Sequence, residues 1–93
     1  MRRIERTTQF RKDYKREMKG PHRKGLAVEF PKIIGSLAND EILPARHRDH
    51  ALAGAWSDQR DCHVRPDLVL IDRKPDPETL QLVRIGSHSE LGL

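Results

Sequence analysis

Apolar residues recur along this chain at two different spacings, and the change from one to the other divides it. Phe10, Tyr14 and Met18 stand four residues apart in a basic background, the spacing of one stripe on a helix that Thr7 or Thr8 can cap. Gly20-Pro21 ends that helix. Leu26, Phe30, Ile33, Ile34 and Leu37 continue at helical spacing as far as Asn39-Asp40. Pro31 falls inside this second helix, where a proline loses a hydrogen bond and crowds the preceding turn. The stripe carries on past it, so a kink is expected and not a break. Ahead of both helices, Arg3 to Thr7 is a short candidate strand.

From residue 60 the period drops to two. Arg60 to Val64 alternates, with Asp61 and His63 on one face and Cys62 and Val64 on the other. Pro66-Asp67 suits the two central positions of a type I turn. Leu68 to Ile71 is a continuous apolar run, as in a central strand covered on both faces. Lys74-Pro75-Asp76-Pro77 makes a second turn, and Thr79 to Ile85 a last strand ended by Gly86. The stretch from 45 to 57 is irregular, with Gly54 a turn glycine and Trp56 a core or rim residue. The order β-α-α-β-β-β predicts one α+β domain over residues 1–93, an antiparallel sheet with its helices on one face.

Composition narrows the function classes. Hydrophobic residues make up 35% and charged residues 34% of the 93, with a mean hydropathy of −0.77, yet the apolar positions are periodic, so the chain is expected to fold. A single cysteine, Cys62, leaves no disulfide framework and fits a reducing compartment. No apolar run approaches the roughly 20 residues that span a bilayer, and no apolar segment follows the charged start as in a secretory signal. A soluble, cytoplasmic protein without membrane contact is expected. The net charge of +4 is unevenly spread: residues 1–24 hold ten Lys/Arg against three acids, and the remainder eight against eleven. Arg11, Lys12, Lys15, Arg16 and Lys19 sit on the first helix away from its apolar stripe, a surface for nucleic acid or another polyanion if it is not merely a solvated face.

Four of the five histidines, His47, His50, His63 and His88, fall in the second half, near Asp49, Asp61 and Asp67. Imidazole titrates near neutrality, so a pair of them can serve as general base and general acid. Cleavage of RNA needs that equipment and no cofactor. A base takes the 2′-OH proton, the oxyanion attacks the adjacent phosphorus, an acid protonates the leaving 5′-oxygen, and cations steady the charge. Arg48, Arg60, Arg65 and Arg84 are the candidate cations. A zinc site would need three such ligands, and neither H-x-x-x-H nor H-E-x-x-H spacing is present, so no metal or other cofactor is expected.

Three ordered motifs then carry a resemblance that covers nearly the whole chain. Asp49-His50-Ala51-Leu52-Ala53-Gly54-Ala55-Trp56, Arg60-Asp61-Cys62-His63-Val64-Arg65-Pro66-Asp67 and Arg84-Ile85-Gly86-Ser87-His88-Ser89-Glu90-Leu91 resemble the D-H-x-L-x-G-x-W, R-D-x-H-[IV]-x-P-D and R-x-G-[ST]-H-x-x-L signatures of YafQ-type mRNA interferase toxins of the RelE/ParE superfamily. Thr8-Gln9-Phe10-Arg11-Lys12-Asp13-Tyr14-Lys15 is similar to their first helix. The resemblance implies a RelE-like fold, ribosome-dependent cleavage of mRNA, and neutralisation by a cognate antitoxin, with a ribbon-helix-helix type expected. It further implies that His50, His63, Asp67 and His88 form the acid–base set, with His88 the proton donor and the base open among the other three. Asp61 and Arg84 would support them, Arg84 at a phosphate.

The chain departs from the family at its C-terminus, where Leu91-Gly92-Leu93 lacks the usual Phe. A lost stacking contact would be worth about 1–3 kcal/mol, in part recovered by Leu93. With five residues beyond it, the chain end at His88 is expected to bury little. Two rival readings are a ParE-like gyrase-directed toxin, which has no use for the three histidines, and a non-enzymatic RNA- or ribosome-binding module.

Overall fold

The computed structural model describes residues 1–93. Strand β1 (Arg3–Arg6) leads into helix α1 (Thr8–Glu17), and helix α2 (Arg23–Ala38) follows. Thr7 caps α1, its hydroxyl oxygen accepting from the Phe10 amide at 2.9 Å while its O–H donates to the Val83 carbonyl at 2.7 Å. Helix α2 runs through Pro31 without a break, as its uninterrupted stripe requires. Strands β2 (His50–Ala51), β3 (Arg60–Arg65), β4 (Leu68–Arg73) and β5 (Thr79–Gly86) and a one-turn helix α3 (His88–Leu91) complete the chain.

The strands form one sheet in the order β1-β5-β4-β3-β2. The β3-β4-β5 meander is antiparallel as expected, and β2 extends it at one edge. At the other edge β1 lies parallel to β5, with Ile4 opposite Leu80, so the sheet is mixed. Helices α1 and α2 cover one face. Phe10, Leu26, Ile33 and Leu37 pack there on Cys62, Val64, Leu68, Leu70, Leu80, Leu82 and Ile85. The alternation of β3 explains this assignment: Cys62 and Val64 point into the core, while Asp61 and His63 lie opposite Ile71 and Val69 on the other face. That second face carries only a small cluster, Val69, Ile71 and Leu91, with Leu52, Trp56 and Val83 half-buried around it. Burial of Leu70 and Ile71 on opposite faces bears out the reading of β4 as a strand covered on both sides.

Candidate functional site

The site is built on the sparsely covered face, around the open ends of β2, β3 and β5. Pairing of β2 with β3 sets His50 opposite Asp61, and His63 follows two residues along. The Asp61 carboxylate lies between the two imidazoles, its Oδ1 3.7 Å from His50 Nδ1 and 3.9 Å from His63 Nε2. That oxygen is buried and accepts no hydrogen bond. The ring of His63 meets that of His88 edge-on, with centroids 5.0 Å apart and planes at 60°. Asp67, in the β3–β4 turn, stands 3.9 Å from His88 Nδ1, an ion-pair distance once that ring is protonated. The four residues of the expected acid–base set and Asp61 therefore form one continuous array, although they come from four separate stretches of chain.

A hydrogen bond sets the tautomer of His50, and burial the charge state of His63. His50 Nδ1 is 2.6 Å from the Arg48 carbonyl oxygen. A carbonyl only accepts, so Nδ1 carries the proton and Nε2 of neutral His50 presents its lone pair outward. Arg48 holds its carbonyl there from a left-handed backbone conformation (φ 48°), uncommon for a residue with a side chain. Burial pushes the His63 pKa below its ordinary 6.5; Asp61 opposes this, and the neighbouring charges of His88, Arg48 and His50 add to it. His63 is thus held neutral near pH 7. His47 is different. It is buried and donates from Nδ1 to the His63 carbonyl at 2.7 Å, a structural pin.

The C-terminal residue of the set is anchored more firmly than its position near the chain end suggests. Ser87 and Glu90 form a capping box: the Glu90 amide donates to Ser87 Oγ at 3.2 Å, and the Ser87 amide donates to Glu90 Oε1 at 2.9 Å. Leu91 is buried against Val69 and Ile71. The expectation that this end buries little is corrected: a single leucine, sealed under a capped turn, is enough to dock α3. Arg16 braces it from α1, its Nε 3.1 Å from Glu90 Oε2. His88 itself keeps 42% of its side chain exposed.

Arg84 lies in a network that sequence patterning did not disclose. Its Nε and Nη2 donate to Asp13 Oδ2 and Oδ1 at 2.8 and 3.1 Å, and the Ile85 amide also donates to Asp13 at 3.2 Å. Burial by itself would raise the Asp13 pKa, but the hydrogen bonds from Arg84, Gln9 and Ile85 outweigh it and hold the carboxyl below its ordinary value. Arg16 joins the same carboxylate and also donates to the Ile85 carbonyl at 3.1 Å. Arg16, though itself partly exposed, is therefore committed to internal partners, whereas Arg11, Lys12, Lys15 and Lys19 are exposed and make no ion pair. Arg11 and Lys15, with Arg6, rim a cavity of about 390 Å³ floored by Phe10, Tyr14, Met18 and Phe30 between the helices. Arg60 pairs with Asp49 at 3.2 Å. No three His, Cys, Asp or Glu side chains converge in the arrangement a metal ion would need, and no helix is long and apolar enough to cross a membrane.

With this geometry in view, the comparisons with known proteins are specific. Residues 2–92 match the family described as bacterial toxin of type II toxin-antitoxin system, YafQ. The mRNA interferase toxin YafQ of Escherichia coli K12 is 36% identical over 90 residues, covering 95% of this chain and 97% of that one. The crystal structure of the E. coli DinJ-YafQ complex superposes with a TM-score of 0.80 at 33% identity, covering 98% of each chain. A metal-bound toxin from Helicobacter pylori superposes with a TM-score of 0.82 at 43% identity, covering 98% of this chain and 99% of that one. The chain belongs to the YafQ family of bacterial toxins of type II toxin-antitoxin systems.

Proposed function

We propose that this toxin acts as a ribosome-dependent endoribonuclease, cleaving mRNA by metal-independent acid–base attack of the 2′-OH. Its kinship with mRNA interferase toxins supports the activity. The observation that carries the mechanism is the hydrogen bond from His50 Nδ1 to the Arg48 carbonyl, which leaves Nε2 as an acceptor in reach of solvent. His50 is the general base. It takes the 2′-OH proton, and the 2′-oxygen attacks the phosphorus. His88, at the other end of the array and partnered by Asp67, donates a proton to the leaving 5′-oxygen, leaving a 2′,3′-cyclic phosphate and a 5′-OH. Neutral His63 lies between them and contacts the scissile phosphate, while Asp61 steadies both His50 and His63. Arg84, oriented by Asp13, contributes positive charge for the phosphoryl oxygens.

A cognate antitoxin, of ribbon-helix-helix type, neutralises the toxin in this reading, as DinJ partners YafQ in the E. coli complex. Arg11, Lys12, Lys15 and Lys19 contact ribosomal RNA or an acidic antitoxin surface. Metal does not enter the reaction although a Helicobacter relative is metal-bound, because the histidines and carboxylates here are strung along the sheet and do not converge. Primer extension on translated mRNA tests the assignment. His88→Ala is expected to lose about 10²–10⁴-fold in cleavage, with antitoxin binding and thermal melting nearly unchanged for so exposed a side chain. Normal cleavage by the variant would place the proton donor elsewhere. Stoichiometric metal in the purified protein would overturn the metal-free reading.

A further inference from the structure

Beyond His63 the site opens into a polar cavity of about 290 Å³, lined among others by Glu29, Arg46, His47, His63 and Arg65. Its two guanidinium groups are brought there by separate devices. Between His63 and Arg65 the β3–β4 register slips, so that Arg65 pairs with Leu68 and its side chain turns from the open face onto α2. There it lies directly on Gly25, where a Cβ would come within 2.5 Å of Arg65 Nε and 3.1 Å of Cγ and Cδ. A glycine inside a helix weakens it, and here the missing Cβ is what gives Arg65 its berth. Arg46 comes from the 3-10 turn Ala45–His47, and the buried His47 ties that turn to the His63 carbonyl at 2.7 Å. The Arg65 side chain and the turn that carries Arg46 are thereby held next to His63.

Their charge is not consumed within the protein. Arg46 is exposed and forms no ion pair, and Arg65 Nη2 has one acidic neighbour, Glu29 Oε1, at 3.5 Å, too long for a strong bond. We infer that this cavity seats the phosphodiester next to the one that is cleaved, with Arg46 and Arg65 as its ligands. The inference rests on the ribonuclease reading, since the RNA strand crossing His50, His63 and His88 is what carries a neighbouring phosphate to the cavity. A guanidinium fork matches phosphate oxygens, and Glu29, the one acid in the lining, holds Arg65 only through the long 3.5 Å contact that a phosphate would outcompete.

The test uses ribosomes programmed with short synthetic mRNAs in which single linkages flanking the cleavage point are neutral methylphosphonates. With the unaltered toxin, one flanking neutral linkage should slow cleavage roughly tenfold to a hundredfold, the loss of a hydrogen-bonded charge. In Arg46→Gln/Arg65→Gln, cleavage of ordinary mRNA should fall by about as much, and the neutral linkage should then cost nothing further. Arg46→Gln alone, on an exposed turn, gives the same pattern in smaller measure should Arg65→Gln disturb folding. Equal sensitivity to every neutral linkage in both proteins would overturn the cavity assignment and leave the ribonuclease standing. Failure of the unaltered toxin to cleave ordinary mRNA would overturn both.

Discussion

The two faces of the sheet share one backbone and differ in what they bury. Beneath α1 and α2, fourteen buried apolar residues form a continuous core. On the opposite face three buried apolar residues suffice, and the places beside them hold Asp61, His63 and, across the gap, His88. Because neighbouring strand residues alternate in direction, a single strand serves both: Cys62 and Val64 enter the core, and Asp61 and His63 face the candidate site. Core residues and candidate site residues are thus separated by one residue of register. Substitutions should separate the same way.

Truncating one residue on each face should separate the two roles. Leu70→Ala removes a fully buried core side chain and should cost about 2–5 kcal/mol of stability. His50→Ala should leave the melting temperature within a few degrees and reduce mRNA cleavage about 10²–10⁴-fold. Thermal melts and primer extension on both variants check the pair; a His50 variant that unfolds would undo the division of labour.

A smaller effect comes from a buried acid on β4 that has no hydrogen-bond partner. Asp72 is wholly buried on β4 with neither carboxylate oxygen hydrogen-bonded, and burial, reinforced by Asp49 and Asp61 against Lys74 and Arg60, raises its pKa from 3.8 to about 7. The folded protein thus keeps a proton that the unfolded chain releases near 3.8. The contribution of Asp72 to stability is full below that pH, declines as pH rises, and is lost once pH passes about 7. Chemical denaturation of the parent and Asp72→Asn from pH 4 to pH 8 should show the parent losing ground against the variant as pH rises. A constant difference across that range would refute the buried proton.

Much of this division is legible from spacing alone. The period of four through Phe10 and Tyr14, the alternation around Cys62 and the run through Leu70 place the helices, the central strands and the face that carries Asp61 and His63. Other features leave no periodic trace. β1 is an exposed four-residue edge strand whose parallel pairing with β5 is set by a partner far along the chain, and two-residue β2 exists only through β3. The slip at Arg65 breaks an alternation too short to reveal it. Helix α3 did carry a local signal, the Ser87-x-x-Glu90 capping box. On α1, the apolar stripe identifies one buried face, but Asp13 and Glu17 line a second, polar one that only the partners Arg84 and Arg16 make sense of.

Within α1, the solvent-facing cations and the internally paired Arg16 should therefore respond differently to substitution. Replacing Arg11, Lys12, Lys15 and Lys19 with Gln should leave the melt unchanged, weaken ribosome binding and flatten its dependence on salt. Arg16→Gln should instead lower the melting temperature, since it severs ties to Asp13, Glu17 and Glu90. Sedimentation of toxin with ribosomes across a salt series distinguishes the two groups, and equal behaviour would erase the distinction.

If the open-face array uses the RNA's own 2′-OH as nucleophile, removing that hydroxyl should abolish cleavage. A synthetic mRNA with a single 2′-deoxy nucleotide at the cleaved position is presented on ribosomes beside its all-ribose twin, and the product ends are identified by mass spectrometry. The account predicts that the all-ribose strand yields a 2′,3′-cyclic phosphate and a 5′-OH end, and that the deoxy strand is left intact at that position. Cleavage of the deoxy strand at an undiminished rate, with a free 3′-OH or 3′-phosphate end, would show that water attacks the phosphorus and contradict it.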